Sequence, residues 1–213
     1  MKPTRDWPVW VYVPNIIGYL RIILSIIAFT NYRTPGVFFG YYFVGFVLDA
    51  ADGLAARKLN QSSDFGAQLD MLTDRCATAA LLTVLSYLYP NQAYICYALI
   101  FLDGYSHWVQ MVAGICAGTA SHKSAGRGWL LQLYYWRPCL TFVCSLNEMC
   151  FLILYLQAFT EGPPFLPGLS LYSAILWCAV PVCIIKQIIS VRQIFSAHAT
   201  ITDAMVSKLC TGT

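Results

Sequence analysis

The stretch "DAADGLAARKLNQSSDFGAQLDMLTDR", from Asp49 to Arg75, gathers carboxylates in a chain that is otherwise poor in charge. It holds five of the ten acidic residues of a 213-residue sequence that is 58% hydrophobic and only 11% charged. A soluble domain needs more charged surface than this, so the composition predicts an integral membrane protein. Ionisable groups are costly inside a membrane, and an acidic segment in such a chain therefore indicates a functional site.

The sequence contains six apolar runs, and the acidic segment covers the end of the second run and the start of the third. The breaks between them, "NYRTPG", "RKLNQSSD", "YPNQ", "SHKSAGRG" and "TEGPPFLPG", collect Pro, Gly, Asn and Ser. Each run is near the length of about 20 residues with which a helix crosses a bilayer. We therefore predict an all-α integral membrane fold, a six-transmembrane-helix bundle preceded by a short N-terminal amphipathic segment. We expect one membrane domain over residues 1–213, with spans at roughly 11–31, 35–54, 67–89, 93–116, 137–159 and 169–195.

Basic residues predict the orientation of the bundle. The second loop contains Arg57 and Lys58 and the fourth contains Lys123 and Arg127, whereas the other three loops contain Arg33 alone. The positive-inside rule then places both termini, the even-numbered loops and the acidic segment in the cytosol. The formal net charge of +3 is spread over these edges, which suits an anionic lipid surface, and we expect no nucleic-acid partner.

The nine cysteines and three histidines form no pattern typical of a metal or redox site. The cysteines are scattered singly through apolar runs without a C-x-x-C pair, as small core residues are. The histidines never show the H-x-x-x-H spacing of a helical zinc site. We therefore expect neither redox chemistry nor zinc.

Four aspartates of the acidic segment are spaced so that they converge. Asp49 and Asp52 share a face near the end of the second span, and Asp70 and Asp74 share a face at the start of the third. A short loop joins these spans, so the two faces can meet at one membrane depth. Carboxylates at such range repel one another, and Mg²⁺ or Mn²⁺, which prefer oxygen ligands, relieve that repulsion. The spacing therefore predicts a two-metal site that also binds phosphate oxygens.

Other interpretations of the same residues remain open. The acids could be helix-end groups paired with Arg57, Lys58 and Arg75, or the contacts of a membrane scaffold. A divalent-cation transporter is a third possibility, but it predicts carboxylates at successive depths, whereas these cluster at one end. The small residues of the segment would let a nucleotide approach, although they also serve helix packing: Gly53, Ala55, Ala56, Gly66 and Ala67.

The acidic segment resembles the complete signature of the CDP-alcohol phosphotransferases, which here reads Asp49-x2-Asp52-Gly53-x2-Ala56-Arg57-x8-Gly66-x3-Asp70-x3-Asp74. Eight residues at fixed spacing make a chance match improbable. The resemblance implies a six-span fold, a cytosolic active site and a homodimer. It implies that the metal ligands are Asp49, Asp52, Asp70 and Asp74, and that Asp74 is also the catalytic base.

Segments outside the signature, including "VPNIIGYLRI", "SHK" and "YYWRP", resemble the eukaryotic branch of this family that uses inositol. That resemblance implies transfer of the phosphatidyl group from CDP-diacylglycerol to myo-inositol with release of CMP, in the endoplasmic reticulum membrane. Gly53, Arg57 and Ser63 are then expected to bind CDP-diacylglycerol. Arg137, at the start of the fifth span, is our first candidate for inositol, and Arg75, Lys123 and Arg127 are further candidates.

Other alcohols, such as glycerol phosphate or inositol phosphate, are the alternative acceptors. An anionic acceptor would require several cationic side chains beside Asp74, since phosphate recognition relies on charge-assisted donors. The fourth loop and fifth span offer only Lys123, Arg127 and Arg137. We therefore expect an uncharged acceptor.

Two further groups of polar residues have no unique interpretation. Asn15 and Arg21 of the first span could meet the nucleotide or join an interhelical bond. A polar stripe on one face of the fourth span consists of Asp103, Ser106, His107 and Gln110. It could bind a polyol, or form an interhelical network with Glu148 or Lys186, which we favour for Asp103.

Overall fold

The computed structural model describes residues 7–117 and 133–211. Within these ranges the chain is mostly α-helical, which agrees with the all-α fold class, and its long helices overlap the predicted spans with different bounds. Short 3₁₀ turns at Val9–Val11 and Pro90–Gln92 precede the first and fourth of them. The long helices are α1 Val13–Thr30, α2 Pro35–Lys58, α3 Asp64–Leu88, α4 Ala93–Cys116, α5 Arg137–Gln157 and α6 Leu171–Thr211.

The helices have the composition of a membrane protein. In the described ranges, four segments are long and apolar enough to span a bilayer: Val13–Thr30, Pro35–Lys58, Pro138–Gln157 and Leu171–Val206. Helices α3 and α4 have comparable length, but α3 carries the aspartates and α4 the polar stripe, which lowers their apolar content. Large apolar side chains such as Phe101 and Trp177 are 73% and 77% exposed, as expected of surfaces that face lipid. The chain is thus a membrane protein, while the count of six spans stays a prediction.

The contacts divide the chain into two compact units, one up to Val84 and one from Leu85 onward. In the first unit α1 packs along α2, and residues 31–34 connect them. Near this connection the Phe29 ring meets Phe38 and Tyr42 edge to face, with centroids 5.4 and 5.8 Å apart. Further toward its N-terminus, α1 instead buries a polar side chain, Arg21, and this polar end of the unit forms the site described below.

Residues 59–63, between α2 and α3, make the hydrogen bonds that terminate α2 and cap α3. Asn60 has a φ of 53°, and the Gln61 N–H donates to the Ala56 carbonyl at 2.9 Å, the pattern of a Schellman helix end. Ser63 then caps α3, because its hydroxyl accepts a hydrogen bond from the Gly66 N–H at 3.0 Å. The Asn and Ser residues that predicted a loop therefore terminate one helix and start the next.

In the second unit α6 packs against both α4 and α5. Val109 and Ala113 of α4 lie against Ala197 of α6, and Val143 of α5 lies against Ile189. The sequence predicts an irregular loop before α6, whereas the structure has a small antiparallel hairpin of β1 Pro164–Leu166 and β2 Leu169–Ser170. Its turn consists of a proline followed by Gly168 at a φ of +77°, a combination that closes tight turns.

Candidate metal and nucleotide site

The four predicted aspartates meet around one buried side chain, Arg21 of α1. Arg21 Nη1 donates to Asp52 Oδ2 at 2.7 Å and to Asp70 Oδ1 at 2.9 Å. Its Nη2 lies 2.8 Å from Asp49 Oδ1 and donates to Asp74 Oδ1. Three helices therefore contribute to one cluster: α1 the arginine, α2 and α3 a pair of aspartates each. The predicted convergence of the two acidic faces is confirmed.

The cluster has the donors that a hard divalent cation requires. One carboxylate oxygen each from Asp49, Asp70 and Asp74 lies within 4.8 Å of the others, so that a single ion could touch all three. Asp52 lies beside this group and is only 8% exposed. Oxygen donors at this spacing fit Mg²⁺ or Mn²⁺, which bind carboxylates and retain positions for water or substrate phosphates. These aspartates therefore fit the metal that the sequence predicts.

The helix-end interpretation included the Asp74–Arg75 contact but not the shorter ion pairs with Arg21. The carboxylates lie against Arg21, a residue for which the sequence predicts no specific role, and Asp74 has a second, longer contact with Arg75 at 3.8 Å. Asp49, Asp70 and Asp74 keep 38%, 41% and 33% of their side-chain surface exposed. The aspartates are thus held by an internal cation and remain accessible to a ligand.

A cleft of about 160 Å³ adjoins the cluster in the first unit. Asp52, Gly53, Ser63 and Asp70 line it, so two of the predicted nucleotide contacts open onto the same space as two of the aspartates. Arg57 lies beside Gly53, where an added Cβ would stand 3.4 Å from Arg57 Nη1. The structure thus brings these residues together, with the hydroxyl of Ser63 already accepting the capping hydrogen bond from Gly66.

Two buried polar side chains also line the cleft: Asn15, for which the sequence left a nucleotide contact or an interhelical bond open, and Gln61, which the sequence did not indicate. Asn15 is 1% exposed and donates from Nδ2 to the Val9 carbonyl at 2.6 Å. Gln61 is 5% exposed and accepts a hydrogen bond from the Val13 N–H at 2.9 Å, which ties the 59–63 connection to the start of α1. A single polar residue in a Ser- and Asn-rich loop carries no signal that would have identified Gln61.

Of the basic residues considered for inositol, the structure places Arg75 beside Asp74, with Nη2 3.8 Å from Asp74 Oδ2. Lys123 and Arg127 lie outside the described residues, as does the side chain of Arg137, although its backbone begins α5. Of the predicted N-terminal amphipathic segment, the structure describes only residues from Trp7 onward. Trp7 and Trp10 are exposed there, around the 3₁₀ turn.

The polar stripe of α4 forms an interhelical network in the second unit. Lys186 of α6 donates to Asp103, both side chains being buried, and this confirms the pairing favoured from the sequence. His107 lies with Nδ1 2.8 Å from the Asp103 carbonyl oxygen. Gln110 donates to the Gln193 carbonyl at 2.9 Å. This network joins α4 to α6 through buried polar groups, as polar residues commonly do in membrane bundles.

The comparisons with known proteins agree with this site. The family model described as CDP-alcohol phosphatidyltransferase matches residues 11–185, which include α1, the whole acidic segment and the cleft. The chain belongs to the CDP-alcohol phosphatidyltransferase family and is an enzyme.

Curated relatives share most of their length with the chain. A Drosophila melanogaster protein named CDP-diacylglycerol–inositol 3-phosphatidyltransferase is 42% identical over 89% of this chain and 84% of its own length. Proteins of the same name from Homo sapiens and Saccharomyces cerevisiae are 39% and 38% identical, over 90% and 95% of this chain and 92% and 90% of theirs. In a comparison with solved structures, none matched the chain.

Proposed function

We propose that this enzyme transfers the phosphatidyl group from CDP-diacylglycerol to myo-inositol, giving phosphatidylinositol and CMP. The observation that carries the proposal is the convergence of Asp49, Asp52, Asp70 and Asp74 beside a cleft lined by Gly53 and Ser63. The family membership supplies the reaction class, and the name shared by the relatives supplies the donor and the acceptor.

The aspartates would divide the chemistry between them. Asp49, Asp52, Asp70 and Asp74 would hold the Mg²⁺ or Mn²⁺ ions, two of them as the spacing of the aspartates predicts. When bound, such ions neutralise charge on the pyrophosphate and on the departing CMP. Asp74 would accept the proton of the attacking inositol hydroxyl. Its carboxylate is 33% exposed and adjoins the other three, so it can face both an acceptor and the cluster.

The proposed transfer forms one bond to the phosphatidyl phosphorus and breaks another. An oxygen–phosphorus bond forms between the inositol hydroxyl and the phosphatidyl phosphorus, and the bond from that phosphorus to the CMP oxygen breaks. Arg57, whose guanidinium lies beside Gly53, would bind the phosphates of CDP-diacylglycerol with its planar fork of donors. Gly53 and Ser63 would contact the nucleotide from the cleft.

The setting of the reaction is also a proposal. Arg57 and Lys58 close α2, and their charge supports a cytosolic position for the cluster and for both termini. The endoplasmic reticulum and a homodimer follow from the resemblance to the eukaryotic branch. Labelling of a Lys58→Cys variant from the lumen rather than the cytosol would contradict the topology, and cross-linking in native membranes tests the dimer.

A panel assay tests the function directly. Purified full-length enzyme with Mn²⁺ and CDP-diacylglycerol is given inositol, inositol phosphate, glycerol phosphate, serine or choline, and CMP release is measured. We expect release with free inositol only, and none when Mn²⁺ is replaced by a chelator. Preferential turnover of another acceptor would reject inositol as the substrate but would leave the CDP-alcohol phosphotransferase reaction in place. Cation uptake by vesicles without CMP release would favour a transporter.

A further inference from the structure

Arg21 is the residue around which the aspartate cluster is arranged. Its side chain is only 6% exposed, and its two terminal nitrogens contact one oxygen of each of four carboxylates. A guanidinium has a rigid fork of N–H donors and stays charged at all accessible pH values. A second cation, Arg75, lies 3.8 Å from Asp74, farther than any of the contacts that Arg21 makes with the aspartates.

Arg21 contacts the same carboxylates that would bind a metal ion. Asp49, Asp70 and Asp74, the three residues whose oxygens are spaced for one ion, each give an oxygen to the guanidinium. A carboxylate has about four lone-pair positions, so it can serve Arg21 and an ion together. The fixed positive charge nevertheless repels a divalent cation bound to the same carboxylates.

We propose that Arg21 is a positioning residue with two linked effects: it holds the four carboxylates together, and it lowers their affinity for divalent cations. The inference rests on the metal site of the proposed function. Four carboxylates with one arginine carry three net negative charges, which two divalent ions convert to a single positive charge. A site with that charge attracts the anionic pyrophosphate of the donor, whereas four carboxylates and two ions alone would be neutral.

Two opposing effects decide what removal of Arg21 does to metal affinity. Loss of a group that orients metal ligands typically weakens binding by about 10–100-fold. Removal of a unit charge about 4 Å from a divalent ion strengthens binding by far more than a hundredfold at an effective dielectric constant of about 20. Exposure of three of the aspartates screens the second effect strongly, and we expect a net gain in affinity of about tenfold.

The experiment measures Mn²⁺ binding by electron paramagnetic resonance, and thermal unfolding, on full-length protein in detergent. The variants are Arg21→Gln, Arg21→Lys and a control, Arg33→Gln, which removes the same charge at the exposed 31–34 connection. We expect Arg21→Gln to bind Mn²⁺ about tenfold more tightly and to have a lower Tm in chelator, while Arg33→Gln matches wild type. Unchanged or weaker Mn²⁺ binding by Arg21→Gln would overturn the proposal.

Two further measurements keep the result interpretable. If Arg21→Gln does not fold, Arg21→Lys decides: its ammonium keeps the positive charge but cannot orient four carboxylates, so Mn²⁺ should bind it less tightly and raise its Tm less than that of wild type. An equal or larger rise would contradict the proposal. Asp70→Ala separates the role of Arg21 from the metal site of the proposed function. If Asp70→Ala bound Mn²⁺ as tightly as wild type, the metal site itself would be rejected.

Discussion

The amide of Asn15 occupies the space that a side chain at Gly66 would need. A Cβ added to Gly66 would lie 2.8 Å from Asn15 Oδ1, closer than real Cβ contacts. Asn15 cannot easily move, because it is buried and donates to the Val9 carbonyl. This glycine therefore serves the approach of α1 to α3, in addition to the nucleotide access that the sequence suggested.

Gly66→Ala should destabilise the protein by about 1–3 kcal/mol, the usual cost of overpacking a filled site. Thermal unfolding in detergent measures it, with Gly40→Ala as control, because an added Cβ at Gly40 meets nothing within 4 Å. If the clash is with Asn15, the effects of Gly66→Ala and Asn15→Ala should not add. Additive effects would show that another neighbour is responsible.

Asn60 should tolerate glycine but not a branched residue. Its φ of 53° places it in the left-handed region, which costs most residues roughly 1–2 kcal/mol and glycine almost nothing. We expect Asn60→Gly to unfold at the wild-type temperature and Asn60→Val at a clearly lower one. Equal unfolding temperatures for the two variants would mean that this helix end does not contribute to stability.

Substitutions of Asp74 and Asp70 should impair different steps, turnover in the first case and nucleotide binding as well in the second. Asp74→Asn keeps the size of the side chain but removes the proposed base, so turnover should fall by about 10²–10⁴-fold while nucleotide binding largely persists. Asp70→Ala should also lose Mn²⁺-dependent binding of CDP-diacylglycerol. Equally poor nucleotide binding by both variants would contradict a separate role for Asp74 as base.

The Lys186–Asp103 pair predicts that a second substitution restores stability lost through the first. Both side chains are buried, so Lys186→Met removes the cation from a buried carboxylate and should cost roughly 3–5 kcal/mol. Adding Asp103→Leu removes the remaining charge, and the double variant should unfold at a higher temperature than the single one. A double variant less stable than Lys186→Met would indicate that Asp103 stabilises the bundle through His107 instead.

The aspartates could be predicted because their spacing alone fixes the helix face on which they lie. Arg21 could not, since helical periodicity tells which face of α1 is polar but not which residues of α2 and α3 that face meets. The extent of α6 shows a similar limit. The predicted span ends near residue 195, yet the helix continues to Thr211, because helix formation does not require a continuous apolar sequence. The hairpin at Pro164–Ser170 had a local signal, Pro167 followed by Gly168, that indicates a tight turn.

All the residues of the aspartate cluster, including Arg21, precede Val84, the last residue of the first compact unit. Chains are synthesised from the N-terminus at about 5–20 residues per second, and early segments fold while later ones are still being made. The contacts that define the aspartate cluster can therefore form seconds before α5 and α6 exist. Arg21 can offset one of the four negative charges in the newly made chain, so the cluster does not depend on the second unit for its internal cation.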